Sequence, residues 1–273
     1  MNQTSEFINT KEYSRFAEFC NACKKEKYIG LCYGPAGVGK SMAARHFAKW
    51  AEVMKEMKFK DRNLFDYSPT AILKTLDTIV YVPPVSIAPM AINKAIQNLW
   101  IEFDILVIDS FKHDPNDPND TNIERGKSRV KLVIIDEADR LQPKCLEQIR
   151  DIYDRYNIAV ILIGMPGIEK RLIRFPQLYS RIGFAHVYKP LSKEEISFII
   201  QNHLHVLDAS LNMNNFSDQE AIAAFARITK GNFRLINRLL KQTIRIMMVN
   251  QLSNITKEII ETARECLVIG NVD

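Results

Sequence analysis

The run Gly34-Pro35-Ala36-Gly37-Val38-Gly39-Lys40-Ser41 follows the apolar stretch Tyr28-Ile29-Gly30-Leu31-Cys32-Tyr33 and leads into Met42-Ala43-Ala44-Arg45-His46-Phe47. Glycines this dense destabilise strands and helices alike. They suit a tight loop whose backbone comes close to another group. The spacing is that of G-x-x-x-x-G-K-[ST], set between a predicted strand and a predicted helix. In such a loop successive N–H groups and the start of the next helix converge on one spot, where a polyphosphate fits. Gly34 through Met42 therefore form the nucleotide-binding set. Within it Lys40 reaches the β- and γ-phosphates and the Ser41 hydroxyl ligates Mg²⁺.

A triphosphate site also needs an apolar strand ending in an acid that orients the Mg²⁺ shell. Two runs compete for that role, Ile105-Leu106-Val107-Ile108-Asp109 and Leu132-Val133-Ile134-Ile135-Asp136-Glu137. The second is the better candidate. Asp136 serves the metal, and Glu137 can polarise the attacking water as the catalytic acid–base group. Ala138-Asp139-Arg140-Leu141 then leads toward a helix starting near Pro143. The first run ends in Ser110-Phe111 and a turn-rich loop, and reads as a structural strand.

Other elements must hold these groups in place. Thr78 to Val82 reads as a second strand, stopped by Pro83-Pro84. Ala88 to Phe103 reads as a helix, with Ile92, Ala95, Ile96, Leu99 and Trp100 on one face. Asn157 to Gly164 is a further buried strand, Glu169 to Arg174 a short basic helix and Phe184 to Tyr188 a last strand. Strands separated by helices predict a parallel sheet covered on both faces. After Pro190 the strand patterns stop. Ser192 with Glu195 three residues on is a capping-box pattern, and helices follow near 217–229, 232–250 and 256–268. The expected division is an N-terminal helical segment (1–26), an α/β domain (27–190) and a helical domain (191–273).

Composition narrows the function. Five cysteines scattered through the chain argue against a disulfide framework. Cys20-Asn21-Ala22-Cys23 has no second pair at zinc-finger spacing and reads as a buried helix face. No apolar run approaches the roughly 18 residues of a membrane span, and the first residues lack a signal peptide's pattern. A cytoplasmic protein that does not engage membranes is expected. The Asp/Asn/Pro-rich stretch before Leu132 lacks EF-hand spacing and reads as a solvated insertion. It ends in Arg125, Lys127, Arg129 and Lys131, either an exposed charge cluster or a phosphate-contacting loop. The net charge of +5 permits nucleic-acid contact without demanding it.

With these motifs the chain resembles the AAA+ ATPases: an α/β P-loop domain, its parallel sheet covered by helices, followed by a small all-helical lid domain. The resemblance implies ATP and Mg²⁺ as cofactors. Gly231-Asn232-Phe233-Arg234 is similar to the sensor-2 motif, whose arginine, here Arg234, reaches the γ-phosphate. Arg181 stands where the family places an arginine finger acting on the neighbouring subunit's ATP, with Arg171 and Arg174 as competitors. One departure concerns the sensor-1 position, usually Asn or Thr. Here the run is Ile163-Gly164-Met165, which implies slow or partner-stimulated hydrolysis.

Within AAA+, the runs around Gly34–Ser41, Leu132–Leu141 and Ile161–Phe184 are most similar to the transposition regulators of transposons and phage Mu (the TniB, TnsC and Mu B group). That implies a homo-oligomer, ring or helical filament, assembled on duplex DNA and recruiting or regulating a transposase or other recombination protein. Lys94, Lys127 and Arg129 are its expected DNA contacts, because the helix after strand two and the loop before the acidic strand face the pore of similar rings. The alternative is a helicase-loader or initiator-like ATPase of DNA replication, which an appended winged-helix pattern would favour. A nucleotide-gated signalling switch without DNA contact is the third.

Overall fold

Five short strands carry the architecture. In the computed structural model, which describes residues 7–60, 70–112, 128–204, 216–252 and 254–267, they are β1 (Ile29–Tyr33), β2 (Thr78–Tyr81), β3 (Leu132–Ile135), β4 (Ala159–Gly164) and β5 (Ile182–Val187). All pair in parallel, in the order β2-β3-β4-β1-β5. Residues of β3 and β4 are buried along their whole length. Such strands read as continuous Val/Ile/Leu runs because helices, not water, face both sides.

Because the strands share one direction, their C-terminal ends lie along one edge. β3, β4 and β1 are consecutive neighbours, about 4.8 Å apart per strand. The chain leaving each of them therefore emerges beside the others: Asp136 after β3, Met165 after β4 and Gly34 after β1. Strand order alone assembles these three segments.

The helices accompanying the sheet are α1 (Lys11–Glu26), α2 (Lys40–Phe47), α3 (Trp50–Lys60), α4 (Pro89–Lys112), α5 (Pro143–Tyr156), α6 (Ile168–Leu172) and α7 (Pro176–Tyr179). α2 and α3 are separate because Lys49 takes a left-handed conformation, φ 47. α5 opens on Pro143 and closes on Asn157 in the left-handed region, the usual proline-first asymmetry of helices.

α4 corrects the reading of Ile105–Asp109 as a strand. The helix runs without a glycine or internal proline through that segment to Lys112. Ile92, Ile96, Trp100, Phe103, Leu106, Val107 and Ser110 are its buried positions, and they recur at helical, not alternating, spacing. A four-residue apolar run fits either period, and here the preceding turns carry the helix through it.

The described residues group into two compact units. One comprises Arg15–Gly34 and Lys40–Val187; the other takes those up to Ser14, Pro35–Gly39 and those from Tyr188 onward. In the second unit α8 (Lys193–Leu204), α9 (Phe216–Thr229), α10 (Phe233–Val249) and α11 (Lys257–Glu265) bury a core that includes Ile199, Phe225, Ile236, Leu239 and Ile260. The capping box forms as the spacing predicts: the Ser192 N–H donates to Glu195 Oε2 at 3.0 Å, and the Glu195 N–H to Ser192 Oγ at 3.3 Å. Glu12 Oε1 accepts from the Lys189 N–H at 3.1 Å. Among the described residues no helix is long and apolar enough to cross a membrane.

Candidate functional site

Gly37 and Gly39 have φ of +78 and +116, a region that costs an L side chain about 1–2 kcal/mol or more. The turn they allow brings the loop back to the start of α2, where Lys40 and Ser41 are the first two residues. Lys40 is buried, and its Nζ donates to Gly34 O at 2.6 Å while lying 3.9 Å from Met165 Sδ. A buried ammonium is costly unless anionic or polar groups face it. Its place at the strand ends fits it for a phosphate.

Asp136 is also buried, 4% exposed. Its main-chain N–H donates to Tyr81 O at 2.9 Å, and its Oδ1 accepts from the Glu137 N–H at 2.9 Å. Glu137 sits in the left-handed region, φ 54 and ψ 41, a backbone placement that clusters at functional positions. Its carboxylate pairs with Arg140, whose Nη1 also donates to Pro83 O at 3.1 Å. These groups, Lys40 at the start of α2 beyond β1 and the acids Asp136 and Glu137 beyond β3, fit a nucleoside triphosphate.

Within the helical unit the phosphate loop is held by the start of α10. Asn232 does two jobs there: its Oδ1 caps the helix by accepting from the Leu235 N–H at 3.2 Å, and its Nδ2 donates to Ala36 O at 2.8 Å. The Arg234 N–H donates to Gly37 O at 2.9 Å. A Cβ at Gly37 would stand 2.5 Å from Asn232 Oδ1, so this contact requires glycine. The Arg234 side chain itself is exposed. Asn232 was missed as a site residue, although an Asn opening a predicted helix is itself an N-cap signal.

The three arginines are placed differently. Arg181 is committed within its own unit, donating from Nε at 2.6 Å and from Nη2 at 2.8 Å to the two Asp154 oxygens and from Nη1 to Gln177 O. That hydrogen bond with Arg181 is the main reason the Asp154 carboxyl titrates below its ordinary value. Arg171 donates from Nη1 to Asp139 O at 2.7 Å and from Nη2 to Leu141 O. Arg174 is exposed and makes no ion pair among the described residues.

The DNA-contact candidates do not come together. Lys94 is exposed near the start of α4, which follows the C-terminal end of β2. Arg129 precedes β3, at the opposite edge of the sheet, where its N–H donates to Asp104 Oδ1 at 3.0 Å and its guanidinium lies 5.0 Å over the Phe111 ring. From Lys94 to Asp104 is roughly 15 Å of helix. Lys127 lies outside the described residues. Cys20 and Cys23 are buried thiols; burial raises both, Cys23 to about 12. Among the described residues no cluster could hold a metal through His, Cys, Asp and Glu side chains.

A parallel sheet with a glycine-rich loop, a buried lysine and paired acids beyond its C-terminal strand ends defines a P-loop nucleoside triphosphatase. The AAA-domain family profile matches residues 23–172. A Staphylococcus aureus protein described as a potential ATP-binding protein is 41% identical over 274 residues, covering 99% of each chain. This chain belongs to the AAA family and carries its ATP-binding ATPase domain. In fold it is similar to the Thermotoga maritima RuvB Holliday junction branch migration motor, with TM-score 0.58, 19% identity, and 98% of this chain and 72% of that one covered. It is also similar to the Aeropyrum pernix ORC1 protein in complex with DNA, with TM-score 0.55, 18% identity and coverages of 93% and 64%. At such identities the likeness is one of fold.

Proposed function

We propose that the chain is an ATP-dependent, DNA-associated AAA+ ATPase that works as an oligomer, of the helicase-loader or initiator kind. The observation that carries this reading is the set Lys40, Asp136 and Glu137 beyond the C-terminal ends of β1 and β3 in one parallel sheet, on a fold similar to RuvB and to ORC1 bound to DNA. The narrower reading, a regulator of a transposase, draws on sequence runs alone and has no similar support, so the replication-type reading leads.

In the proposed chemistry Lys40 and the loop N–H groups would neutralise the phosphates, and Ser41 with Asp136 would hold Mg²⁺. The ion would supply charge neutralisation at the transferring phosphoryl group. Glu137 leaves Arg140 to accept a proton from water. Arg174 is the better candidate for the arginine acting on a neighbouring subunit, because Arg181 already has its carboxylate. Arg234 is kept as the sensor-2 candidate, its N–H on Gly37 O of the loop segment in its own unit.

Fluorescence anisotropy of labelled duplex DNA tests the proposal, titrated with protein in ATPγS, ADP and no nucleotide, with light scattering for mass. ATPγS-dependent binding by an assembled species, weakening steeply with salt, is the expected result. Binding indifferent to nucleotide would remove the mechanism.

A further inference from the structure

Gly164 ends β4 without a side chain, and something else occupies that space. A Cβ built there would stand 2.8 Å from Asp139 Oδ1 and 2.6 Å from Ile168 Cδ1. The Asp139 carboxylate, delivered from the turn after β3, fills the room that the glycine opens. Both of its oxygens accept from the Met165 N–H, each at 2.9 Å. Met165 in turn places its thioether 3.9 Å from the Lys40 ammonium. On its other side the Asp139 turn is gripped by α6, through the Arg171 guanidinium on the carbonyls of Asp139 and Leu141. Every group in this chain of contacts belongs to the α/β unit.

We propose that Asp139 is a positioning residue for ATP hydrolysis: its carboxylate fills the space beside Gly164, fixes the Met165 main chain and so seats the thioether against Lys40. The proposal rests on the ATPase reading of the same site. The Met165 thioether is one wall beside the Lys40 ammonium. Without Asp139 that wall is loose, and Lys40 loses placement at the moment charge develops. Misplacement of about 1 Å can cost roughly 100-fold in rate.

The test compares Asp139→Ala, Asp139→Asn and Gly164→Ala in steady-state ATPase assays, with fluorescent-ADP affinity and Tm for each. Asp139→Ala should lower kcat about 10- to 100-fold with nucleotide affinity and Tm little changed. Asp139→Asn should recover most of the loss, because an amide oxygen still accepts from the Met165 N–H; an acid–base group would not be rescued this way. Gly164→Ala should displace the carboxylate and copy Asp139→Ala, and the double variant should be no slower than either single one. Parental kcat in Asp139→Ala, an Asp139→Asn variant as slow as Asp139→Ala, or additive losses would each overturn the proposal. If the parent chain binds ATP without hydrolysing it, the hydrolytic reading fails first. The Met165 amide resonance then decides the contact: it should shift in Asp139→Ala and hold in Asp139→Asn, and an unmoved resonance in Asp139→Ala overturns the inference.

Discussion

Lys40, which opens α2, and Glu137, which follows β3, belong to the same proposed site, yet their removal should have opposite signatures. Lys40 is the buried cation of the site, so Lys40→Ala removes the ammonium that would offset the phosphate charge. Truncating one partner of such a pair costs about 2–5 kcal/mol, a loss of ~30-fold or more in ATP affinity. Isothermal titration with ATPγS checks this, and parental affinity would refute the site. Glu137→Gln removes water activation and turns the Arg140 ion pair into a neutral amide contact, without touching the phosphate-binding groups. It should bind ATP normally and hydrolyse it slowly, retaining labelled ATP in a rapid filtration assay.

At the scale of elements, α10 and α5 each make a checkable contact through one side chain. Asn232 caps α10 and donates to Ala36 O, and two substitutions separate those jobs. Asn232→Asp keeps an acceptor for the Leu235 N–H but sets a carboxylate against the Ala36 carbonyl. Its nucleotide affinity should fall while Tm stays near the parent's. Asn232→Ala loses both bonds, and the lost cap adds about 1 kcal/mol of instability. If affinity is parental in both variants, the α10 contact does not shape the loop.

On α5, Asp154 takes two arginines, Arg150 at 2.8 Å and Arg181 at 2.6 Å, and its depressed pKa stems first from the Arg181 hydrogen bond. A depressed carboxyl stabilises the fold above its unfolded pKa, and that contribution is lost as pH falls through the depressed value. Asp154→Asn should therefore lower Tm at neutral pH by ~1–4 °C, the range for a partly exposed pair in a chain this size. The difference should close in acid, and a gap independent of pH would assign it to packing instead.

For the whole molecule, the proposed oligomer makes the arginines separable. Arg174→Ala should leave ATP binding by dilute protein intact and cut assembled ATPase activity by about 10³-fold, the lower range for an arginine supplied in trans. Arg181→Ala should act mainly on Tm, through the loss of Asp154's partner. Mixing Arg174→Ala with Glu137→Gln protein should restore part of the activity, because some interfaces then pair an intact arginine with an intact glutamate. Full activity of Arg174→Ala alone, with a dead Arg181→Ala, would return the trans role to Arg181.

The phosphate loop, the acidic end of β3 and the capping box at Ser192 were legible in the residues because their geometry is local. Backbone conformation and partners within a few positions decide them, so spacing is enough. Ile105–Asp109 was not legible, since a short apolar run satisfies both periods and only the turns it continues choose between them. Lys94 and Arg129 were paired as DNA contacts through their elements' likeness to pore-facing ones, but strand direction sends them to opposite edges of the sheet. Asn232 meets Ala36 across 196 positions, Asp139 meets Met165 across 26, and Arg181 meets Asp154 across 27. Such pairings depend on strand order and helix docking, which bring distant residues together through burial of the whole core; no local spacing encodes them.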